Sequence, residues 1–398
     1  MDITKYKKSA VGFIPIDWDV KKFKEEASFY SGGTPLTSVK EYYSGEIPFI
    51  KSGEIYYDKT DQFITAEGLK NSSARMVDQG DILYALYGAN SGEVAIAKIN
   101  GAINQAVLCI KPKENLDIFF IYSFLLAKKE TIIKSYLQGG QGNLSAEIIK
   151  TLQIPIPPLP EQQKIATILS TCDIAIDNCK AIIENLKNRN IGLAQQLLSG
   201  KKRVKGSEKS QWHLKSVEEV AVFKNGKAHE NCIDEEGDYF VVNSKFISTQ
   251  GKVAKASNEN LCPLFKNDIT MVMSDIPNGK AFAKCFYIAE DDKYTLNQRI
   301  CALTAKKGTD SKFLYYQMNR NNYYLAFNNG VSQTNLKKEE VLECPLLMPD
   351  IEEQIQIVKL IDTATEELNQ YQQKLEALQL QKKGLMQQLL TGKTRVKI

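Results

Sequence analysis

Histidine is nearly absent from this chain of 398 residues, which contains only His213 and His229. Neither has the spacing to other ligands or nucleophiles that a zinc site or a catalytic triad requires. The Gly-rich phosphate loop of many ATP-binding enzymes is also missing, as is the Asn/Asp-Pro-Pro-aromatic run of adenine methyltransferases. The sequence therefore predicts a protein with no catalytic residues, no metal ligands and no cofactor of its own.

Long apolar runs, a secretory signal and paired cysteines are missing as well. No run approaches the ~20 apolar residues of a transmembrane helix, and the first ten residues are polar and rich in lysine. The eight cysteines are scattered without a Cys-x-x-Cys pair, which is typical of a reducing compartment. Net charge is only +4, so any basic surface must be local. These features predict a cytoplasmic protein without membrane contact.

What the chain does contain is present twice. The segment QQLLSGKKRVK begins at Gln195, and QQLLTGKTRVK begins at Gln387, 192 residues later. The pair Glu161-Gln162 recurs at the same distance, as Glu353-Gln354. A period this long indicates a duplicated domain pair rather than an array of small repeats.

Each half begins with a globule that reads as mixed α/β, with short β-type runs separated by glycine turns. Here the distance between matching residues drifts: Asp81 matches Asp268, 187 residues later, whereas Asn104 matches Asn297, 193 residues later. The globules have therefore gained and lost loop residues, whereas the segments that follow them have not. A constraint on length acts on those segments and not on the loops.

Each constant segment is predicted to be one long helix. Prolines precede it at Pro160 and Pro349, and glycines end it at Gly200 and Gly392. Residues 161–199 would span about 60 Å at 1.5 Å per residue. Apolar residues recur at alternating spacings of four and three, which is the pattern of a coiled-coil seam. The predicted seam residues are Ile165, Leu169, Ile176, Ile183, Leu186, Asn190, Leu193, Ile357, Ile361, Leu368, Leu375, Leu378, Lys382 and Leu385.

The polar seam residues Asn190 and Lys382 indicate how the two helices pair. In an antiparallel pair with full overlap, Asn190 faces Ala364 and Lys382 faces Cys172, so each polar side chain meets a small one. A parallel pair in register would instead place Asn190 against Lys382. We therefore predict an antiparallel coiled coil with a pseudo-twofold relation between the halves.

The ordered set of motifs resembles the specificity subunit of type I restriction–modification enzymes. The resemblance rests on IPIPPLPEQ at residues 154–162, on QQLL-Ser/Thr-Gly-Lys, and on the openings GFIPIDW at 12–18 and SGGTP at 31–35. It covers essentially the whole chain. The second half departs from it, with PDIEEQ at 349–354 and Lys227-Ala228-His229 in place of Gly33-Thr34-Pro35.

This resemblance implies a non-catalytic, DNA-associated prokaryotic subunit in which each globule is a target recognition domain for one half of a split double-stranded DNA sequence. Two adenine-N6 methyltransferase subunits and ATP-dependent restriction subunits would be its partners. S-adenosylmethionine, ATP and magnesium would bind to those partners. The helices would set the spacing between the half-sites and dock the methyltransferase subunits.

Polar residues that recur in the loops of both globules are the candidates for base contact. Amide side chains suit adenine, and lysine suits guanine or phosphate; the alternative is that several of them close turns or cap helices. The candidates are Lys51, Ser52, Gln105, Gln141, Asn143, Asn243, Ser244, Lys245, Gln298, Gln333 and Asn335. The basic linker at 200–206 is a candidate for phosphate or subunit contact.

The predicted segments are a first recognition domain (1–157), a first helix (158–200), a basic linker (201–211), a second domain (212–348), a second helix (349–392) and a basic tail (393–398). Two other functions stay open on the sequence alone. One is the specificity subunit of a type II system with a fused nuclease–methyltransferase. The other, a coiled-coil scaffold that binds only proteins, predicts no salt-dependent affinity for DNA.

Overall fold

The computed structural model describes residues 5–136, 144–207, 209–276, 279–328 and 333–397. Its internal contacts divide the chain into two units. Unit 1 comprises Met1–Ala181 and Gln372–Ile398, and unit 2 comprises Ile182–Tyr371. Each unit therefore contains one α/β globule, the beginning of one long helix and the end of the other.

Unit 1 contains two four-stranded sheets, with strand orders β6-β5-β10-β7 and β4-β11-β8-β9, and two two-stranded ladders, β1-β2 and β12-β3. Its strands are β1 (Tyr6–Ser9), β2 (Gly12–Pro15), β3 (Asp19–Lys22), β4 (Ala27–Ser31), β5 (Ile47–Ile50), β6 (Phe63–Ile64), β7 (Arg75–Val77), β8 (Ile82–Ala85), β9 (Val94–Ile96), β10 (Gly101–Ile103), β11 (Val107–Pro112) and β12 (Gln153–Ile156). The helices in this part of the chain are α1 (Phe23–Glu26), α2 (Ala66–Lys70), α3 (Ile118–Tyr136), α4 (Ala146–Thr151) and the long α5 (Leu159–Leu198).

Unit 2 repeats this arrangement with sheets β14-β21-β17-β19 and β16-β15-β20 and ladders β13-β23 and β18-β22. Its strands are β13 (His213–Ser216), β14 (Ala221–Asn225), β15 (Tyr239–Val242), β16 (Lys255–Ser257), β17 (Ile269–Val272), β18 (Ser274–Asp275), β19 (Cys285–Tyr287), β20 (Tyr294–Leu296), β21 (Ile300–Ala305), β22 (Thr334–Asn335) and β23 (Pro345–Met348). Its helices are α6 (Val217–Val220), α7 (Ser244–Ser248), α8 (Ser311–Met318), α9 (Asn322–Leu325), α10 (Lys338–Leu342) and the long α11 (Ile351–Leu389).

The two globules have one fold, as the duplication predicts. The strand order β4-β11-β8-β9 corresponds to β14-β21-β17-β19, and the parallel pair β5 and β10 corresponds to β15 and β20. They differ after the second sheet, where α3 is replaced by the shorter α8 and α9. Arg320 has a φ of 57° between these helices, and the Asn321 side chain accepts a hydrogen bond from the Tyr323 amide. That turn and its cap end one helix and begin the next.

The first long helix begins slightly earlier than Pro160 suggests, whereas α11 begins at Ile351, after Pro349. α5 includes Pro160, because a proline in the first turn lacks only an N–H that has no partner within the helix. Both helices end at the predicted glycines, since Gly200 and Gly392 adopt φ values of +68° and +67°. This left-handed conformation terminates a helix at little cost for glycine.

The helices pair in antiparallel fashion in both units, which confirms the predicted orientation. In unit 2, Asn190 Nδ2 donates to the Ala364 carbonyl oxygen at 2.7 Å, and Arg189 pairs with Glu367. In unit 1, Lys382 forms an ion pair with Asp173. The contact of Asn190 with Ala364 is the one the sequence pattern predicts, whereas the ammonium of Lys382 reaches the neighbour of Cys172.

The seam residues are buried or half-buried along both helices. Ile165, Leu169 and Leu389 belong to the core of unit 1 together with Trp18. Leu197, Ile357 and Ile361 belong to the core of unit 2. Because helix residues complete both cores, burial of apolar area ties each globule to the helix ends in its own unit.

Candidate nucleic-acid interface

In unit 1, several predicted contact residues lie where the two parallel strands end. Strands β5 and β10 pair so that Ile50 lies opposite Ile103, and the next residues are Lys51 and Asn104. Lys51 and Asn104 line one cleft of about 400 Å³ together with Thr34, Thr37, Tyr43, Phe49 and Gln62. The parallel pairing thus brings lysine, amide and hydroxyl groups from separate parts of the sequence to one edge of the sheet.

Gln105 extends this group because its side chain is bonded to Thr34. Thr34 Oγ1 donates to Gln105 Oε1 at 2.6 Å. Gln105 is exposed, and Ser52, next to Lys51, is half-buried. Thr34, which the sequence did not single out as a contact residue, thus lines the cleft together with Lys51 and is hydrogen-bonded to Gln105.

Unit 2 has the same edge at the ends of β15 and β20, where Val242 lies opposite Leu296. Asn243 and Asn297 follow these strands, and Gln298 comes next. The exposed side chain of Gln298 donates to Glu230 Oε1 at 3.0 Å. Glu230 is thus a member of this edge that the sequence alone did not reveal.

Asn243 has a structural role at this edge. Its Oδ1 accepts a hydrogen bond from the Phe246 amide at 2.9 Å, so it is the N-cap of α7. Ser244 and Lys245 form the first turn of this helix, with Ser244 half-buried and Lys245 exposed. For Asn243 the cap is the structural alternative that the sequence left open.

Two further candidates lie together on another ladder of unit 2. Gln333 Nε2 donates to Ser274 Oγ at 2.8 Å and to Asn335 Oδ1 at 3.3 Å, and β18 and β22 pair Ser274 with Asn335. Both amide side chains are exposed. Their counterparts in the first globule, Gln141 and Asn143, lie outside the described residues.

Each unit also contains a buried glutamate bound by a tryptophan and an arginine, which we call the Trp-Glu-Arg cluster. In unit 1, Trp18 Nε1 donates to Glu161 Oε2 at 2.9 Å, and Arg395 Nε and Nη2 donate to Glu161 at 2.7 and 2.8 Å. Arg395 also donates to both oxygens of Asp17 at 2.9 and 2.8 Å. The Glu161 side chain is completely buried.

The cluster in unit 2 has the same geometry. Trp212 Nε1 donates to Glu353 Oε2 at 2.9 Å, and Arg203 Nε and Nη2 donate to Glu353, each at 2.8 Å. Arg203 also donates to the Ser207 and Ser210 carbonyl oxygens. Within the linker predicted to contact phosphate or another subunit, Arg203 therefore has an internal structural role, because its guanidinium neutralises a buried carboxylate.

Each arginine that follows one helix thus binds the glutamate that begins the other helix. Glu161 begins α5 and Arg395 follows α11, whereas Glu353 begins α11 and Arg203 follows α5. The recurrence of Glu-Gln and Arg-Val-Lys at one fixed distance was the sequence signal for this arrangement. The two motifs meet because antiparallel pairing places the first residues of each helix beside the residues that follow the other helix.

The clusters and related ion pairs predict a loss of stability in acid. Hydrogen bonds from Arg395 lower the pKa of Asp17, and those from Lys21 lower the pKa of Glu26. Burial raises the pKa of Glu353, but the hydrogen bonds from Arg203 and Trp212 outweigh it and the net pKa is lowered. Carboxylates with depressed folded-state pKa values stabilise the fold above their unfolded pKa of about 4 and lose that contribution as the pH falls through the folded value.

We therefore expect the thermal midpoint to be nearly constant from pH 7 to 5 and to fall below about pH 4. Melting curves followed by circular dichroism between pH 3 and 7 would measure this. The Arg395→Met variant should show a shallower decline, because Asp17 then loses its perturbation. A thermal midpoint independent of pH between 3 and 7 would contradict the lowered pKa values of these ion-paired carboxylates.

Among the described helices, none combines the length and apolar character needed to cross a bilayer. The arrangement of the chain defines a class: duplicated α/β proteins in which each globule packs on the ends of two antiparallel helices. The chain belongs to the family defined by the type I restriction modification DNA specificity domain, whose model matches residues 15–188 and 209–379. Each match spans one globule and most of the following helix.

Individual relatives agree with this assignment. The specificity subunit of the type I restriction enzyme MjaIX of Methanocaldococcus jannaschii is 36% identical over 44% of this chain, and the match spans 43% of that subunit. The MjaVIII specificity subunit of the same organism is 24% identical over 96% of this chain and 94% of its own length.

Solved structures share the fold. The S subunit of a type I restriction–modification system from M. genitalium superposes with a TM-score of 0.58 at 18% identity, covering 96% of this chain and 97% of that one. The HsdS subunit from Thermoanaerobacter tengcongensis gives a TM-score of 0.51 at 13% identity, covering 96% and 98%. At these identities the comparison establishes the fold alone.

Proposed function

We propose that this chain is the non-catalytic DNA-recognition subunit of a type I restriction–modification enzyme. Each globule recognises one half of a bipartite, asymmetric sequence. The observation that carries this is the family match to both globules. In each unit the ends of the parallel strands form an edge that supplies groups able to contact phosphates and base edges. These groups are Lys51 and Gln105 in unit 1 and Gln298 in unit 2.

The helices have two roles in this proposal: they set the gap between the half-sites, and they dock two adenine-N6 methyltransferase subunits. Exposed apolar side chains on them support the docking role, since Ile174 and Leu380 in unit 1 are 62% and 72% exposed, and Ile191 in unit 2 is 59% exposed. Exposed apolar side chains mark a protein interface where they form a contiguous patch. Restriction subunits then join the methyltransferase complex.

The partners supply the chemistry. S-adenosylmethionine binds to the methyltransferase subunits, and ATP and magnesium bind to the restriction subunits. This division of labour fits the sequence, which offers neither a phosphate loop nor a methyltransferase motif.

Co-expression with an adenine-N6 methyltransferase subunit of a type I system from the same genome tests the proposal. The purified complex should retard DNA from a library of bipartite sequences, select one motif and methylate adenine within it. Specific binding should exceed non-specific binding by at least about 10³-fold at physiological salt. Omitting this chain is the control, because the methyltransferase alone should then show no such motif. A complex that binds all DNA equally would refute the proposal.

A further inference from the structure

Gln105 and Gln298 occupy the same position in equivalent turns. In unit 1 the Val107 amide donates to the Asn104 carbonyl oxygen at 3.2 Å, and in unit 2 the Ile300 amide donates to the Asn297 carbonyl oxygen at 3.0 Å. Each glutamine is the second residue of a four-residue turn that follows a parallel strand, and each is exposed. The turns fix the backbone of both glutamines, so the neighbours of each side chain decide which end of the amide is presented.

In unit 2 the neighbour of the glutamine is a carboxylate. Gln298 Nε2 donates to Glu230 Oε1 at 3.0 Å. An ionised carboxylate only accepts hydrogen bonds, so it must face the amide nitrogen. The carbonyl oxygen of Gln298 is then the end of the amide that meets a base, and it is an acceptor.

The segment that carries Glu230 is held in place by contacts with the end of β20 and the turn that follows it. A Cβ on Gly226 would lie 1.9 Å from the Asn297 carbonyl oxygen, so only glycine permits this approach. The next residue, Lys227, donates its amide to Leu296. His229 is buried: its Nδ1 donates to the Lys227 carbonyl oxygen at 2.7 Å, and its Nε2 is hydrogen-bonded to Thr295 Oγ1 at 2.8 Å. His229 is therefore a positioning residue for Glu230.

In unit 1 the neighbour of the glutamine is a hydroxyl, and the polarity is reversed. Thr34 Oγ1 donates to Gln105 Oε1 at 2.6 Å. A hydroxyl can donate or accept, and here it donates, so both N–H groups of Gln105 stay available and the NH₂ group is the end that meets a base. Thr34 is held near the turn in the same way, since a Cβ on Gly32 would lie 1.7 Å from the Ile103 carbonyl oxygen.

We propose that the two equivalent glutamines recognise opposite hydrogen-bonding groups, with Gln105 donating to a base acceptor and Gln298 accepting from an exocyclic amino group. In the major groove the acceptors are purine N7, guanine O6 and thymine O4, and the amino groups are adenine N6 and cytosine N4. Thr34 and Glu230 are specificity-determining residues that set these polarities. The inference rests on the proposed function and extends it to the chemistry of each half-site.

Base analogues in the selected motif test this inference with the complex of this chain and its methyltransferase subunits. Analogues without an amino group, purine for adenine and pyrimidin-2-one for cytosine, remove donors, and 7-deazapurines remove an acceptor. In the half-site of unit 2, one amino deletion should weaken binding on the order of 10-fold. In the half-site of unit 1, one 7-deaza substitution, or removal of one base carbonyl oxygen, should weaken binding by a similar factor.

Two variants serve as controls for each other. In Glu230→Ala, sensitivity to the amino deletion should fall to within about twofold, and the half-site of unit 1 should be unaffected. Thr34→Val keeps the shape of the side chain but removes the hydroxyl. In this variant, removing a base acceptor from the half-site of unit 1 should change binding by no more than about twofold. Glu230→Gln, whose amide can face either end of Gln298, should give an intermediate result. Circular dichroism melts verify folding.

The outcomes separate this inference from the function it rests on. If the unaltered complex selects a motif, but neither variant changes sensitivity to any analogue, the polarity assignment is wrong and the proposed function stands. Analogue sensitivities of the reverse kind in the two half-sites would also overturn it. If the unaltered complex selects no motif, both proposals fail.

Discussion

A complex whose two long helices are each lengthened by one heptad is expected to recognise the same two half-sites with a gap about 3 base pairs wider. Seven helical residues add about 10 Å, and one base pair occupies 3.4 Å. The variant duplicates residues 174–180 in α5 and residues 374–380 in α11. These segments face each other in the antiparallel pair, and seven residues preserve the alternating spacing of the seam.

Binding to the original motif should fall by at least about 10³-fold, toward the non-specific level, because only one half-site can then be engaged. Selection from a library of bipartite sequences with variable gaps measures the new spacing. The matched control inserts seven Gly/Ser residues between Asp291 and Asp292, both exposed in a turn of unit 2. This control should keep the original gap. An unchanged gap in the helix variant would show that the helices do not set the spacing.

The Trp-Glu-Arg clusters add a second reason for the constant helix length. Glu161 begins α5 and binds Arg395 beyond the end of α11, and Glu353 begins α11 and binds Arg203 beyond the end of α5. A residue inserted into one helix alone would draw one arginine away from its carboxylate. Equal lengths of α5 and α11 are therefore needed to keep both clusters intact, and for this reason the heptad is added to both helices.

Much of the architecture followed from the sequence because it depends on local periodicity. The alternating apolar spacing predicted α5 and α11, and the matched interruptions at Asn190 and Lys382 indicated their antiparallel pairing. The replacement of one helix by α8 and α9 in unit 2 was missed. It depends on the left-handed Arg320 and the cap at Asn321, which a hydrophobic pattern does not register.

The candidate interface was predictable only in part, because contacts between loops depend on tertiary structure. Recurrence in both globules identified Lys51, Gln105 and Gln298, and the parallel strands place them at equivalent edges. Recurrence could not reveal Thr34 or Glu230, since these two orienting residues are chemically different and occupy non-equivalent positions in the repeats. A search for similarity between the copies overlooks the residues at which they differ, and the proposed polarities of Gln105 and Gln298 depend on two such residues.

Replacing Arg395 by methionine is expected to lower the free energy of unfolding by about 2 kcal/mol. The change keeps the aliphatic stem but leaves the buried carboxylate of Glu161 with Trp18 as its remaining partner. Removing one partner of a fully buried ion pair costs about 3–5 kcal/mol. The value here is smaller, because the Arg395 side chain is 40% exposed and the Asp17 carboxylate can return to water.

Chemical denaturation followed by tryptophan fluorescence and circular dichroism would measure this effect, and Trp18 reports directly on the cluster. Lys393→Met, at an exposed residue of the same tail, should change stability by less than about 0.5 kcal/mol. The double variant Arg395→Met/Glu161→Gln should recover part of the loss, because it also removes the uncompensated charge. If the two changes were instead additive, the guanidinium would not be neutralising Glu161.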